Sequence, residues 1–182
     1  MNDEKVCPVE KAGALDSWYR KILQNPKRLL KKHIVPGMKV LDFGCGPGFF
    51  TLEAANMTGK NGKVIAADLQ QGMLDIVQKK IEGTELEDII SLHKCEADSI
   101  GLSESLDFII AIYVVHETPD PDNTFREMYE LLNPGGRILS IDPKMHFSSE
   151  GFRQMIESVK KIGYKVIDRS TTLMNYKAIL EK

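Results

Sequence analysis

Short apolar runs alternate along the chain with stretches in which apolar residues recur at helical spacing. Strands are expected at about 38–42, 63–67, 89–93, 106–113, 136–142, 164–169 and 174–180. Between them, Met73, Ile76, Val77 and Ile81 form one helical stripe, with Gly83 as its stop. Phe125, Met128, Tyr129 and Leu132 form a second, ended by Asn133-Pro134-Gly135-Gly136. Phe152, Met155, Ile156 and Val159 form a third, closed by Gly163. These stripes read as core faces. Strand–helix alternation of this kind predicts an α/β fold around a mainly parallel sheet. Only Ser170-Thr171-Thr172 separates the last two strands, too little for a parallel crossover, so that pair is expected to be antiparallel. Ahead of the first strand, Ala14, Leu15, Trp18, Ile22 and Leu23 have helical character, and Pro26 opens another helix with Asn25 as its cap. Residues 1–35 are therefore read as a helical lid or arm, and 36–182 as the main domain.

The chemistry concentrates where the first strand enters a glycine-rich turn, Val40-Leu41-Asp42-Phe43-Gly44-Cys45-Gly46-Pro47-Gly48. Alternate glycines let the backbone approach a ligand where a Cβ would collide. Dinucleotide and nucleotide folds use such turns for phosphate, which the Asp42 carboxylate would repel, so a ligand carrying positive charge fits better. S-adenosylmethionine has a sulfonium, an ammonium and a ribose diol. Asp68 ends the second strand about 20 residues after the loop, where an acid can hold ribose hydroxyls. A Gly-x-Gly-x-x-Gly dinucleotide fingerprint starting at Gly44 would need a glycine at Phe49. Gly59-Lys60 and Gly62-Lys63 lack the upstream glycine of a phosphate loop.

Four ordered elements carry a family resemblance: Asp42-x-Gly44-x-Gly46-x-Gly48 with Asp68; Glu96-Ala97-Asp98; Leu106 to His116 followed by Pro119-Asp120-Pro121; and Leu131-Leu132-Asn133-Pro134-Gly135-Gly136. From about Met38 onward the chain resembles class I S-adenosylmethionine-dependent methyltransferases, of the small type related to ubiquinone and menaquinone C-methyltransferases. The resemblance implies a Rossmann-like three-layer sandwich with a seven-stranded sheet in order 3-2-1-4-5-7-6. It implies S-adenosyl-L-methionine as cofactor, with S-adenosyl-L-homocysteine as product. It places Asp42, Gly44, Cys45, Gly46, Gly48, Asp68, Leu69 and Tyr113 around that cofactor, with Ala97 and Asp98 at the adenine.

Residues just after the fourth strand would face the transferred methyl group. His116 is the candidate base there, its ordinary pKa being near 6.5, although the position also suits packing or capping of the turn. Tyr113 is the second catalytic candidate, or lines the methionine end of the pocket with its ring. Asp142-Pro143-Lys144-Met145-His146 leaves the fifth strand on the same edge and is expected to wall the acceptor site. Tyr113-Val114-Val115-His116 stands where the Asn/Asp-Pro-Pro-Tyr/Phe motif of nitrogen methyltransferases would lie, which leaves an oxygen, carbon or sulfur acceptor ahead of nitrogen. A non-catalytic S-adenosylmethionine-binding sensor or partner subunit is the alternative reading, and an NAD-dependent oxidoreductase a further one.

Composition narrows the partners. A net charge of −2 gives no basic footprint for nucleic acid, and Lys27-Arg28 with Lys31-Lys32 reads as a solvated helix face. No apolar run approaches the ~20 residues that span a bilayer. The segment Met1-Asn2-Asp3-Glu4-Lys5 lacks the order of a secretory signal, so a cytoplasmic location is expected. Cys7, Cys45 and Cys95 are scattered and suggest neither a disulfide framework nor a metal site. Cys45 reads as the small side chain its loop demands, Cys95 as a small buried hydrophobe, and Cys7 on the arm as a residue without special chemistry ahead of a reactive thiol.

Overall fold

In the computed structural model, residues 25–182 are described; Cys7, Trp18 and most of the expected arm lie outside them. Seven strands follow the order β3-β2-β1-β4-β5-β7-β6, as the resemblance implies. They fall into two compact units, one running to Cys95 and the other spanning Glu96–Lys182.

Among the described residues, the first element of this unit is α1 (Pro26–Leu30), which Asn25 caps by accepting from the Arg28 amide at 3.1 Å. Strands β1 (Lys39–Phe43), β2 (Lys63–Asp68) and β3 (Ile90–Lys94) pair in parallel. Phe43 lies opposite Ala67 and Asp68 opposite Lys94, so the three strands end on one edge. Four residues of β1 and five of β2 are buried without alternation, which fits strands covered on both faces. Each buried Val, Leu or Ile contributes roughly 1.5–3 kcal/mol relative to exposure. Helices α2 (Thr51–Thr58) and α3 (Gln71–Ile81) follow β1 and β2. The buried stripe of α3 is Met73, Leu74, Val77 and Ile81, with Leu74 replacing the expected Ile76. At 100° per residue, Ile76 stands about 100° from the stripe's centre and Leu74 only about 60°. Glu82 caps the helix, one residue before Gly83 turns left-handed at φ +69°.

The second unit holds β4 (Leu106–Ile112), α4 (Pro121–Leu131), β5 (Leu132–Pro143), α5 (Ser149–Ile162), β6 (Lys165–Thr171) and β7 (Asn175–Glu181). Strands β4 and β5 are parallel; β7 is antiparallel to both β5 and β6. Strand β5 begins at Leu132, earlier than the expected 136, because α4 passes directly into it. The expected turn survives inside the strand: Leu132 pairs with Leu106 but Arg137 with Phe108, leaving Asn133-Pro134-Gly135-Gly136 as a bulge. Lys182 closes that bulge, donating its amide to the Gly136 carbonyl and accepting from the Gly135 amide, both at 3.0 Å. Tyr164, just past α5, buries its hydroxyl on the Phe125 carbonyl at 2.8 Å, and burial pushes the phenol well above its ordinary pKa. Strand β6 ends the strand order with Lys165, Asp168 and Arg169 exposed, charges that discourage further pairing. Among the described residues, no helix is long and apolar enough to cross a membrane.

Candidate cofactor and acceptor sites

Where β1 ends, the chain folds into a loop held by its own backbone. The Gly44 and Cys45 amides donate to the Ala67 carbonyl at 2.9 and 3.0 Å, and the Gly48 amide to the Cys45 carbonyl at 3.1 Å. Gly46 has φ +51°, and a Cβ built on it would meet no atom within 4 Å. The residue must be glycine for its backbone conformation, and the face it leaves bare opens onto free space. Gly48, at φ +88°, is confined differently: a Cβ there would come within 3.1 Å of Val77.

Asp68 is buried, and both carboxylate oxygens accept from backbone amides. Oδ2 takes Gly46 at 2.8 Å and Oδ1 takes Gln70 at 2.9 Å. The acid at the end of β2 therefore shapes the glycine loop as well as facing the edge where a ligand would sit. A carboxylate oxygen has two lone pairs, so each can accept a further hydroxyl. Burial raises the Asp68 pKa, opposed by the amides of Gln70, Gly46 and Leu69. Leu69 itself is partly exposed directly after it.

Asp42 is also buried, and its Oδ2 accepts from Thr51 Oγ1 at 2.6 Å. The side chain thus ties the end of β1 to the start of α2, where no side chain caps the helix. The Cys45 and Cys95 side chains are buried. Burial, followed by the charges of Asp42 and Asp68, holds the Cys45 thiol well above its usual pKa, so it stays protonated. Sequence reasoning missed Lys80. It reaches from α3 to the Pro47 carbonyl at 2.8 Å and clamps the loop from the other side. Its only trace in the sequence is a cation in the last turn of a helix.

In the second unit, Ala97 and Asp98 are exposed, in a turn closed by the Glu96 amide on the Ser99 carbonyl at 3.1 Å. Tyr113 follows β4 with φ +62°, the one left-handed non-glycine residue among those described. A bulky residue there stores about 1–3 kcal/mol of backbone strain, a feature that clusters at functional sites. Its amide donates to the Ile141 carbonyl and its hydroxyl to Asn175 Oδ1, both at 2.8 Å. His116 lies in the single helical turn Val115–Glu117, its Nδ1 2.8 Å from Asp142 Oδ1. The His146 ring lies parallel to that of His116, with centroids 5.8 Å apart. Tyr113, His116, Asp142 and His146 are thereby brought together at the C-terminal ends of β4 and β5. From the sequence Asp142 reads only as part of a wall, because nothing in spacing reveals a partner 26 residues away.

A mostly parallel sheet in this strand order, with β7 antiparallel and an acid-anchored glycine loop after β1, defines the class I S-adenosylmethionine-dependent methyltransferases. The chain belongs to the methyltransferase domain family, whose match covers residues 34–181. It is 27% identical over 148 residues to the demethylmenaquinone methyltransferase of Symbiobacterium thermophilum, covering 81% of this chain and 57% of that protein. The Lactobacillus johnsonii protein of the same name is 31% identical over 127 residues, covering 69% of this chain and 50% of that one. The chain thus spans about half the length of these curated relatives. A crystal structure of a SAM-dependent methyltransferase from Aquifex aeolicus superposes with a TM-score of 0.86 at 25% identity, covering 97% of this chain and 99% of that one.

The family's cofactor is S-adenosyl-L-methionine, and the loop fits it: a bare backbone face at Gly46 stands beside a carboxylate with acceptor capacity to spare. The raised pKa of Asp68 gives a prediction. If Asp68 holds the cofactor's hydroxyls, these donors favour the charged carboxylate, so cofactor affinity should fall on acidification, beginning above the pH near 3.9 where an ordinary aspartate titrates. For folding the sign is opposite. Asp68 favours the native chain most below the ordinary aspartate pKa and loses that contribution as pH rises through its raised value. Calorimetric titration with S-adenosylhomocysteine across acidic pH, beside a thermal melt of the free chain, checks both trends.

Proposed function

We propose that this protein transfers the methyl group of S-adenosyl-L-methionine to a small-molecule acceptor through an oxygen, carbon or sulfur nucleophile rather than nitrogen. The glycine loop locked onto Asp68, with its bare face at Gly46, carries this reading. Asp68 holds the ribose hydroxyls, and Leu69 and Cys45 flank them. The Gly44–Gly48 backbone lies along the methionine portion, near the negative charge of Asp42. Ala97 and Asp98 are assigned to the adenine. When bound, the cofactor supplies an activated methyl carbon whose leaving group is a neutral thioether needing no proton. What remains for the chain is to align the acceptor and exclude water, an effect of up to about 7–11 kcal/mol in the best intramolecular cases. Tyr113 and His116 are the residues proposed to meet the acceptor. The relatives named for demethylmenaquinone favour a small organic acceptor, and a net charge of −2 speaks against nucleic acid.

The test is calorimetric titration with S-adenosylmethionine and S-adenosylhomocysteine, with NADH as control. Saturable binding of the first two is expected. Binding of NADH alone would replace the proposal with an oxidoreductase.

A further inference from the structure

Asp142 is an expensive residue to bury. Only 5% of its side chain is exposed, and taking a carboxylate out of water costs several kcal/mol unless its oxygens find donors. Here Oδ1 meets His116 Nδ1 at 2.8 Å, while Ser140 Oγ lies a longer 3.4 Å from Oδ2. A carboxylate only accepts, so the histidine nitrogen facing it carries the hydrogen. In the neutral ring that leaves the lone pair on Nε2. The ring is fixed twice more: it belongs to a helical turn directly after β4, and His146 stacks on it with planes 8° apart. Its side chain is 11% exposed, which restricts access without closing it.

We infer that Asp142 is a positioning residue that fixes the tautomer and orientation of His116, whose Nε2 takes the proton released by the methyl acceptor. This rests on the methyltransferase reading above. The acceptor's O–H proton passes to Nε2 as the electron pair it leaves behind forms the bond to the methyl carbon. The carbon–sulfur bond breaks and its pair stays on sulfur. One positive charge on sulfur is thereby exchanged for one on imidazolium, next to the Asp142 carboxylate. The imidazolium then returns its proton to water. If the new bond forms at a ring carbon beside the hydroxyl, that carbon sheds its own proton to water afterwards. An acceptor that arrives already ionised, such as a thiolate, has no use for this arrangement.

The experiment combines nitrogen-15 NMR of the histidines with single-turnover transfer to two hydroxyl probes, phenol and 1,4-dihydroxynaphthalene. In the wild type, His116 is expected as the Nδ1–H tautomer, and Asp142→Asn should abolish that preference. Asp142→Asn should lower the transfer rate at least tenfold while leaving KM for the probe and Kd for S-adenosylmethionine within twofold. His116→Gln keeps a donor for Asp142 and removes the base, and should lose about 100-fold or more. His116→Ala should recover part of its rate on adding imidazole, which no structural role explains. Should Asp142→Asn fail to fold by thermal melt, His116→Gln and imidazole rescue decide. An Nε2–H tautomer in the wild type, or undiminished transfer by His116→Gln, overturns the inference. So does cofactor binding without transfer to either probe. Absence of S-adenosylmethionine binding overturns the underlying reading instead, and is recognised separately by calorimetry.

Discussion

Replacing Gly46 by valine should remove measurable cofactor binding while leaving a folded chain. Two effects combine at this position. At φ +51° any L-residue is strained by about 1–2 kcal/mol, more for a β-branched one. The new side chain also projects into the open face of the loop, where no protein atom stands within 4 Å and the cofactor is proposed to lie. A control separates the two. Gly37 has φ +87°, likewise meets nothing within 4 Å, and precedes the opposite end of β1. Gly46→Ala and Gly37→Ala should therefore lower stability similarly in denaturant melts, yet only the former should weaken S-adenosylmethionine in calorimetry. Equal cofactor affinity in Gly46→Val and the parent would place the cofactor elsewhere.

Asp68→Ala is expected to weaken cofactor binding by about 1.5–3 kcal/mol, or roughly 10- to 150-fold. On the proposed placement, part of that loss comes from the charged acceptor for ribose hydroxyls. The rest comes from the Gly46 and Gln70 amides, which lose their partner and release the loop. Because ribose is common to substrate and product cofactor, both S-adenosylmethionine and S-adenosylhomocysteine should weaken by the same factor. Parallel titrations measure that ratio. A selective loss of S-adenosylmethionine would move Asp68 from the ribose to the sulfonium.

The strand order and the acid-anchored loop were legible because each depends on a local rule. Apolar runs bounded by helices predict a parallel sheet, and a connection of three residues leaves room only for an antiparallel return, although it falls at Thr172-Leu173-Met174 because Ser170 and Thr171 extend β6. The failures have physical causes too. Asn133-Pro134-Gly135-Gly136 has turn chemistry, yet backbone bonds to Lys182 and the pairing of Leu132 with Leu106 draw it into β5 as a bulge. Ile76 lost its place to Leu74 because only the helix's orientation decides between neighbouring apolar positions. Lys80 and Asp142 act across 33 and 26 residues, distances over which no pattern in the chain speaks. Tyr113 was singled out by position alone; its left-handed backbone is a tertiary effect, imposed by bonds to Ile141 and Asn175.

The glycine loop takes its shape from bonds to Ala67, Asp68, Cys45 and Lys80, all within the protein. A binding segment already ordered forfeits little chain entropy when its ligand arrives, so free energy otherwise spent on ordering is retained as affinity. With the cofactor placed as proposed, the loop and Asp68 address parts that the spent and fresh forms share, so the same rigidity is expected to grip both equally. On that placement the demethylated product is expected to leave slowly and to inhibit as it accumulates, which single-turnover rates faster than steady-state turnover would reveal.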